Sequence, residues 1–195
     1  MGGLTRSQLI GRTALAAGAV VAGGALAAPA FGAEDEQDLA WVQFGVSLSF
    51  LTAVVHRRAR RSGLFTGGDL RSLDAALSAE EARTKRFVEL LAANGQPVIS
   101  GEDLEITLPA DAFASRGRVA SIGRRVTGIG EHAYIGAAAG AQSVDMRLLF
   151  ARSAASAAEQ LAFYRGLTAT AAVGGPFPGM YDIARASDEL GVFLP

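Results

Sequence analysis

The sequence has no cysteine, a single lysine (Lys85) and only two histidines among its 195 residues. The absence of cysteine excludes disulfides, thiolate catalysis, Cys-ligated zinc and iron–sulfur clusters. The formal net charge is −1, so the composition does not indicate a nucleic-acid-binding surface. The chain also lacks a nucleophile elbow, a phosphate loop and a dinucleotide fingerprint. The sequence therefore predicts no nucleic-acid partner and none of the common catalytic motifs.

The residues that are abundant favour an all-α fold. Half of the chain is hydrophobic, and alanine, the strongest helix former, is especially frequent. After removal of an N-terminal signal, the remaining residues are enough for one domain with its own core.

Residues 1–33 have the order of features expected of a removable export signal. Arg6 and Arg12 are followed by an uncharged, Ala/Gly-rich run with small residues at cleavage spacings, and the acidic stretch from Glu34 follows. The segment around Arg6 resembles a twin-arginine signal, although Ser7 stands where the second arginine would be. The alternative is a retained membrane anchor, because the run is long enough to span a bilayer. We expect residues 34–195 to form the exported domain.

Four segments have the apolar spacing of long helices, at residues 36–62, 69–94, 115–140 and 144–173. Gly63, Asn94-Gly95 and Gly174-Gly175 mark three of the ends. The expected inward-facing stripes are Trp41, Phe44, Leu48, Leu51 and Val55; Leu70, Leu73, Leu77, Glu81, Thr84, Val88 and Leu91; Val119, Ile122, Val126, Ile129 and Ala133; and Val144, Leu148, Ala151, Ala155, Ala158 and Ala162.

The second and third helices are joined by a long, proline-bracketed connection at residues 96–114, read as an extended crossover. The C-terminal tail is too apolar to be disordered and is expected to pack on the helices. Two helical pairs linked by one crossover predict an all-α four-helix bundle with a packed C-terminal tail.

Several stretches of the chain resemble the exported ferritin-like domain proteins of bacteria. They are residues 38–59, Ala112-Phe113-Ala114-Ser115, residues 130–138 with Ala133-Tyr134-Ile135-Gly136, and Pro176-Phe177-Pro178. The resemblance implies a ferritin-like bundle whose helices supply glutamates, two of them followed three residues later by histidine, to a di-iron centre.

The positions that match those ligands have mostly lost them. The seven matching positions, which we expect to face the bundle centre, are Ser49, Thr52, Glu81, Thr84, Thr127, Glu159 and Ala162. On the second helix the match is also compatible with Glu80 and Arg83 in place of Glu81 and Thr84. Too few carboxylates and no Glu-x-x-His pair remain for a di-iron centre, so we predict no catalytic residue, no metal ligand and no cofactor.

Two functions stay open at this point. The first is a non-enzymatic bundle with a structural or binding role at the cell envelope or in the periplasm. The second is an iron-binding protein that uses Glu81 and Glu159. The other expectation for these carboxylates is pairing with Arg83, Arg152, Thr84 or Tyr134.

His56 and His132 are expected to be surface or core-edge residues, although His56 could face inward. Membrane proximity through an uncleaved N-terminal segment, a homo-oligomer and an unknown protein partner remain open.

Overall fold

The computed structural model describes residues 36–168 and 178–194. Within these residues the protein is all-α, with five helices and no strand. The helices are α1 (Glu36–Arg61), α2 (Gly67–Ala93), α3 (Arg116–Gly140), α4 (Val144–Gly166) and α5 (Ile183–Gly191). The predicted all-α class is confirmed. The predicted export signal lies outside the described residues.

Helix α1 lies at the centre of the core. All five residues of its predicted stripe, from Trp41 to Val55, are buried. By length and composition α1 is also the one described helix that could cross a membrane, and 78% of its most apolar stretch is buried inside the protein. A core helix of a folded domain passes the same test.

Short connections join the helices in two pairs. α1 packs on α2, and α3 packs on α4. The turn between α1 and α2 begins near Gly63 and leads into Gly67, the first residue of α2. Both glycines have positive φ, which a residue with a side chain rarely adopts. Between α3 and α4, Asp38 of α1 is fully buried and accepts hydrogen bonds from the backbone N–H groups of Gln142 and Ser143 at 3.1–3.2 Å. This carboxylate ties the second pair to the first.

The two pairs face each other, mainly through α1 and α3, whereas α2 and α4 approach less closely along their length. The predicted stripe of α3 is buried from Val119 to Ala133. Ser115 caps the helix by accepting a hydrogen bond from Arg118 N at 3.3 Å. Gly123 leaves room for the ring of Tyr164, so that α3 and α4 can pack closely there.

The predicted stripe of α4 is wrong. Val144, Leu148, Ala151 and Ala155 are exposed, and Ala158 and Ala162 are only partly buried. The buried face carries Met146, Phe150, Ser153, Ala154, Ala157, Gln160, Leu161 and Tyr164. Both faces of this helix are apolar, and the face with the larger side chains fills the interior. The helix also ends at Gly166, seven residues before the predicted end; residues 169–177 lie outside the described part of the chain.

The crossover and the C-terminal segment pack together on the helices. No helix is present between residues 94 and 115, as predicted for the crossover. The C-terminal segment forms helix α5, which the sequence does not predict. Its N-cap is Asp182, whose side chain accepts a hydrogen bond from Arg185 N at 2.8 Å. Leu190 and Phe193 join the core, and Phe193 O accepts from Thr107 N at 2.9 Å. The tail therefore packs on the helices, as predicted.

Candidate functional site

Three of the seven predicted interior positions are buried. The first of them, Ser49, lies beside a group of buried polar side chains that includes Tyr134. Ser49 and Thr52 of α1 and Thr127 of α3 are all less than 5% exposed. Thr52 and Thr127 donate to the carbonyl oxygens of Leu48 and Gly123, one turn back, at 2.8 and 2.7 Å. These two hydroxyls are thus satisfied within their own helices and offer little to a ligand.

Two further predicted positions lie at the edge of the interior. Thr84 is half-buried and donates to Glu80 O at 2.8 Å. Ala162 is also half-buried and has no polar atom in its side chain. Neither residue contributes a side-chain ligand to the centre.

The prediction that Glu81 and Glu159 face the centre is wrong. The Glu81 side chain is 59% exposed and forms an ion pair with Arg57 at 3.5 Å. Glu159 is exposed as well. Successive residues are about 100° apart around a helix. An alignment that is shifted by one residue therefore selects a surface side chain in place of an inward-facing one. The inward-facing neighbours are Glu80 and Gln160.

Glu80 and Arg83 form a buried ion pair on α2. Arg83 Nη1 lies 3.0 Å from Glu80 Oε1, and the two side chains are only 8% and 1% exposed. The Arg83 guanidinium also lies over the ring of Tyr134, 5.3 Å from its centroid. Tyr134 in turn has its hydroxyl 3.5 Å from Ser49 Oγ. One cation is therefore held between a carboxylate and an aromatic face inside the protein.

A chain of hydrogen bonds continues from Glu80 to α4 and α1. Gln160 Nε2 donates to Glu80 Oε1 at 2.7 Å, which leaves Gln160 Oε1 to accept from His56 Nε2 at 3.0 Å. With its proton on Nε2, a neutral His56 accepts at Nδ1 from the Tyr164 hydroxyl at 2.6 Å. Each donor in this chain bonds to the next group towards Glu80. The hydrogen bonds therefore all run in one direction, from Tyr164 to the Glu80–Arg83 ion pair.

The same burial sets the ionisation of the network. Desolvation lowers the pKa of His56 to about 4, and Arg83 adds to this shift, so that His56 is neutral at pH 7. Burial raises the pKa of Glu80, against the opposing effects of Arg83 and the hydrogen-bond donors. Burial would lower the pKa of Arg83, but the neighbouring Tyr134 and Glu80 raise it overall, so the guanidinium stays charged.

Burial also raises the pKa values of the two tyrosines. Both hydroxyls consequently remain protonated at neutral pH and serve as hydrogen-bond donors.

One atom of the network has no partner. Glu80 Oε2 is buried and makes no hydrogen bond among the described residues. Ser49 lowers the pKa of this carboxyl and so lies beside it, but no hydrogen bond of normal geometry joins the two. Glu80 Oε2 is thus an open hydrogen-bond acceptor within the network.

The arrangement is poorly suited to a di-iron centre. In the described part of the chain, no three His, Asp or Glu side chains converge as metal ligands would. The Nδ1 atom of His56 already accepts a hydrogen bond from the Tyr164 hydroxyl. Arg83 already supplies positive charge at Glu80, the one buried glutamate among the described residues. The residues present therefore do not fit the metal pair that the family resemblance implies.

Sequence reasoning identified part of this network only as alternatives. The sequence offers Glu80 and Arg83 as an alternative match on α2 and allows an inward position for His56. It does not single out Gln160 or Tyr164. The signal available for them was their spacing, because Gln160 and Tyr164 lie one turn apart and continue the buried face that runs through Phe150 and Ala157.

Comparison of the sequence with models of known protein families gives no match. A search of curated proteins also finds no significant match. The ferritin-like resemblance thus rests on the residues quoted above.

Proposed function

We propose that this chain is an exported, ferritin-like four-helix bundle without enzymatic activity, and that it has a structural or binding role at the cell envelope. The crossover between two helical pairs supports the bundle, and the order of features in residues 1–33 supports export. In this proposal, a network of protein side chains occupies the interior where ferritin-like relatives hold iron.

The observation that carries the proposal is the position of Arg83. It follows the interior glutamate by three residues, the place where the family pattern has a histidine ligand, and its guanidinium contacts that glutamate at 3.0 Å. A tethered cation offsets the carboxylate charge without any metal. An iron ion at the same oxygen would face the full charge of Arg83 a few ångströms away. The substitution of arginine for histidine therefore opposes metal binding electrostatically as well as removing a ligand.

One observation favours the alternative function, weak iron binding. Glu80 Oε2 is a buried acceptor without a hydrogen bond among the described residues, and an unsatisfied carboxylate oxygen is a potential cation ligand. The version of this alternative that used Glu81 and Glu159 has no structural support, since both side chains are exposed. A single carboxylate next to a fixed guanidinium would bind iron weakly at most.

Ferrous iron titration of the purified protein tests the proposal. We expect no stoichiometric iron uptake by the wild type and no oxygen consumption on iron addition. Arg83→His recreates the Glu-x-x-His spacing with Glu80 and removes the competing charge, so it should raise iron affinity measurably. Arg61→His, on the exposed end of α1, is the matched control and should bind iron no better than the wild type. Two tightly bound irons per wild-type chain would overturn the proposal in favour of the metalloprotein.

The export part of the proposal has its own test. Mass spectrometry of the protein recovered from the cell envelope should find a new N-terminus between Ala30 and Ala33. An intact N-terminus on membrane-bound protein would instead support the retained anchor.

A further inference from the structure

Helix α4 is apolar on the face that points away from the core. Val144 and Leu148, one turn apart, are 74% and 48% exposed. The exposed Ala151 and Ala155 continue the same face, followed by the half-buried Ala158 and Ala162. The opposite face, with Phe150 and Leu161, is buried in the core. When a helix carries apolar residues on two opposite faces, both faces are normally covered by neighbouring elements.

The spacing of this outer face is that of a helix–helix seam. From Val144 to Ala162 the apolar positions alternate in steps of four and three, the pattern by which one helix packs along another. The other exposed large apolar residues, Val98, Met180 and Val192, are scattered over separate segments. The outer face of α4, defined here by the six positions Val144, Leu148, Ala151, Ala155, Ala158 and Ala162, is therefore the one described helix face that shows this pattern outside the core.

Charged residues lie along both edges of the seam. On one edge, Arg147 donates to Ala141 O and Arg165 also interacts within the protein. On the other edge lie two opposite charges. Arg152 and Glu159 are exposed on α4, and neither forms an ion pair within the described residues. Elsewhere on the surface, facing helices are joined by ion pairs such as Arg57–Glu81 and Arg60–Asp74. The charges on α4 thus remain available to a partner.

We propose that the outer face of α4 is the interface of a homodimer in which the two α4 helices pack antiparallel about a two-fold axis beside Ala155. Leu148 precedes Ala155 by seven residues and Ala162 follows it by seven, so this axis places each Leu148 opposite the partner's Ala162.

The charges obey the same symmetry. Arg152 lies three residues before Ala155 and Glu159 four residues after it, so Arg152 of each copy meets the partner's Glu159. The contact is isologous, with each residue pair occurring twice. This self-complementarity favours a second copy of the chain over an unrelated helix. The proposal goes beyond the function proposed above and does not depend on whether the interior binds iron.

The size of the interface predicts its strength. Alanines allow two helices to approach closely, but one helix against one helix buries less than the roughly 800 Å² per partner of a standard stable interface. We therefore expect a dimer that dissociates on dilution.

Charge exchange tests the pairing directly. Light scattering with size-exclusion chromatography should give twice the monomer mass for the concentrated full-length wild type. Arg152→Glu or Glu159→Arg alone should shift the protein to monomer, and the double variant should recover the dimer. Lys85→Glu, a similar charge reversal on a side chain 79% exposed on α2, should leave the dimer unchanged. A monomeric wild type at every concentration, or a double variant that stays monomeric, would overturn the proposal.

The absence of cysteine allows a second test that does not perturb the fold. Ala155→Cys introduces the only thiol of the chain next to the proposed axis and should give a disulfide-linked dimer under mild oxidation. Ala82→Cys, on the exposed side of α2, is the control and should cross-link only at the background rate. Equal cross-linking of the two variants would contradict the α4 interface.

Discussion

Arg83 lies one helical turn after Glu80 on α2, and its Nη1 atom is 3.0 Å from Glu80 Oε1 inside the protein. Because both groups are on one helix, the pair forms as soon as the helix does. Its energetic cost arises only when α1, α3 and α4 cover it and remove its water. The Glu80–Arg83 pair is therefore not a major source of stability. Its main effect is to oppose the binding of a metal cation at Glu80.

Breaking this pair on one side should be costly. Glu80→Met leaves the Arg83 guanidinium buried without its carboxylate, and we expect the free energy of unfolding to fall by about 3–5 kcal/mol. Arg83→Met should cost less, because the remaining Glu80 can take up a proton and become neutral. Urea denaturation of each variant at pH 7 measures both effects.

The double variant Glu80→Met, Arg83→Met is the control for this interpretation. Removing both charges leaves no unpaired ion, so the double variant should be more stable than Glu80→Met alone. Additive losses from the two substitutions would show that the pair is not coupled as the structure implies.

His56 should make the protein sensitive to acid. Its folded pKa of about 4 lies below the unfolded value of 6.5, so the unfolded chain binds the proton more readily between these values. Stability is thus lost as the pH falls, by about 2–3 kcal/mol between pH 7.5 and pH 4.5. The raised pKa of Glu80 acts with the opposite sign, since the folded state then holds its proton more tightly.

Comparison with His56→Gln separates the two contributions, because Glu80 is present in both proteins. The wild type should lose more stability than His56→Gln over this pH range in chemical denaturation. An NMR titration of the His56 ring protons gives the pKa independently. A value near 6.5 would mean that the ring is not buried in the hydrogen-bond network.

The buried residues of α1 and α3 could be predicted for two different reasons. α3 carries its large apolar residues mainly on one side, so their period identified the buried positions from Val119 to Ala133. α1 is buried on nearly all sides, with Val42 and Val46 buried as well, so the predicted stripe from Trp41 to Val55 was certain to lie in the core. α4 could not be oriented from its period, because it carries apolar residues on two opposite faces. Its inner face is decided by side-chain volume, since Phe150 and Tyr164 fill a space that Ala151 and Ala155 would leave empty.

The residues of the interior network were harder still to predict, because two adjacent glutamates compete for the inward position on α2. Glu80 and Glu81 are adjacent and chemically identical, so the α2 sequence alone does not determine which one faces inward. The structure resolves the choice through Arg83 and Gln160, whose donors converge on Glu80 Oε1. The partner of Glu80 on α4 is 80 residues away along the chain, and no local pattern encodes such a contact.

Asp38 should be important for holding the two helical pairs together. Its buried carboxylate accepts from Gln142 N and Ser143 N at the start of α4. Asp38→Ala leaves these donors without that acceptor, and we expect a loss of about 1–3 kcal/mol. Glu36→Ala in the same helical turn is the control and should change stability by less than about 0.5 kcal/mol, because Glu36 is exposed. Thermal unfolding of the two variants makes the comparison, and equal effects would argue against the tie.

Two glycines of α3 should respond to alanine in opposite directions. A Cβ atom at Gly136 would collide with the backbone carbonyl of Tyr181, where the C-terminal segment crosses the helix and Tyr181 N donates to His132 O at 3.0 Å. A Cβ atom at Gly128 meets nothing within 4 Å. Gly128→Ala should therefore stabilise the helix by up to about 1 kcal/mol, because alanine has the higher helix propensity.

Gly136→Ala should instead destabilise the protein by about 1–3 kcal/mol, because the backbone of the C-terminal segment must move away from α3. The displacement should be local. Hydrogen exchange of residues 178–194 is expected to become faster in Gly136→Ala, while α1 stays protected in the core. Gly128→Ala should leave exchange in that segment unchanged. If Gly136→Ala stabilised the protein as Gly128→Ala is expected to do, the C-terminal segment would not be packed on α3 in solution.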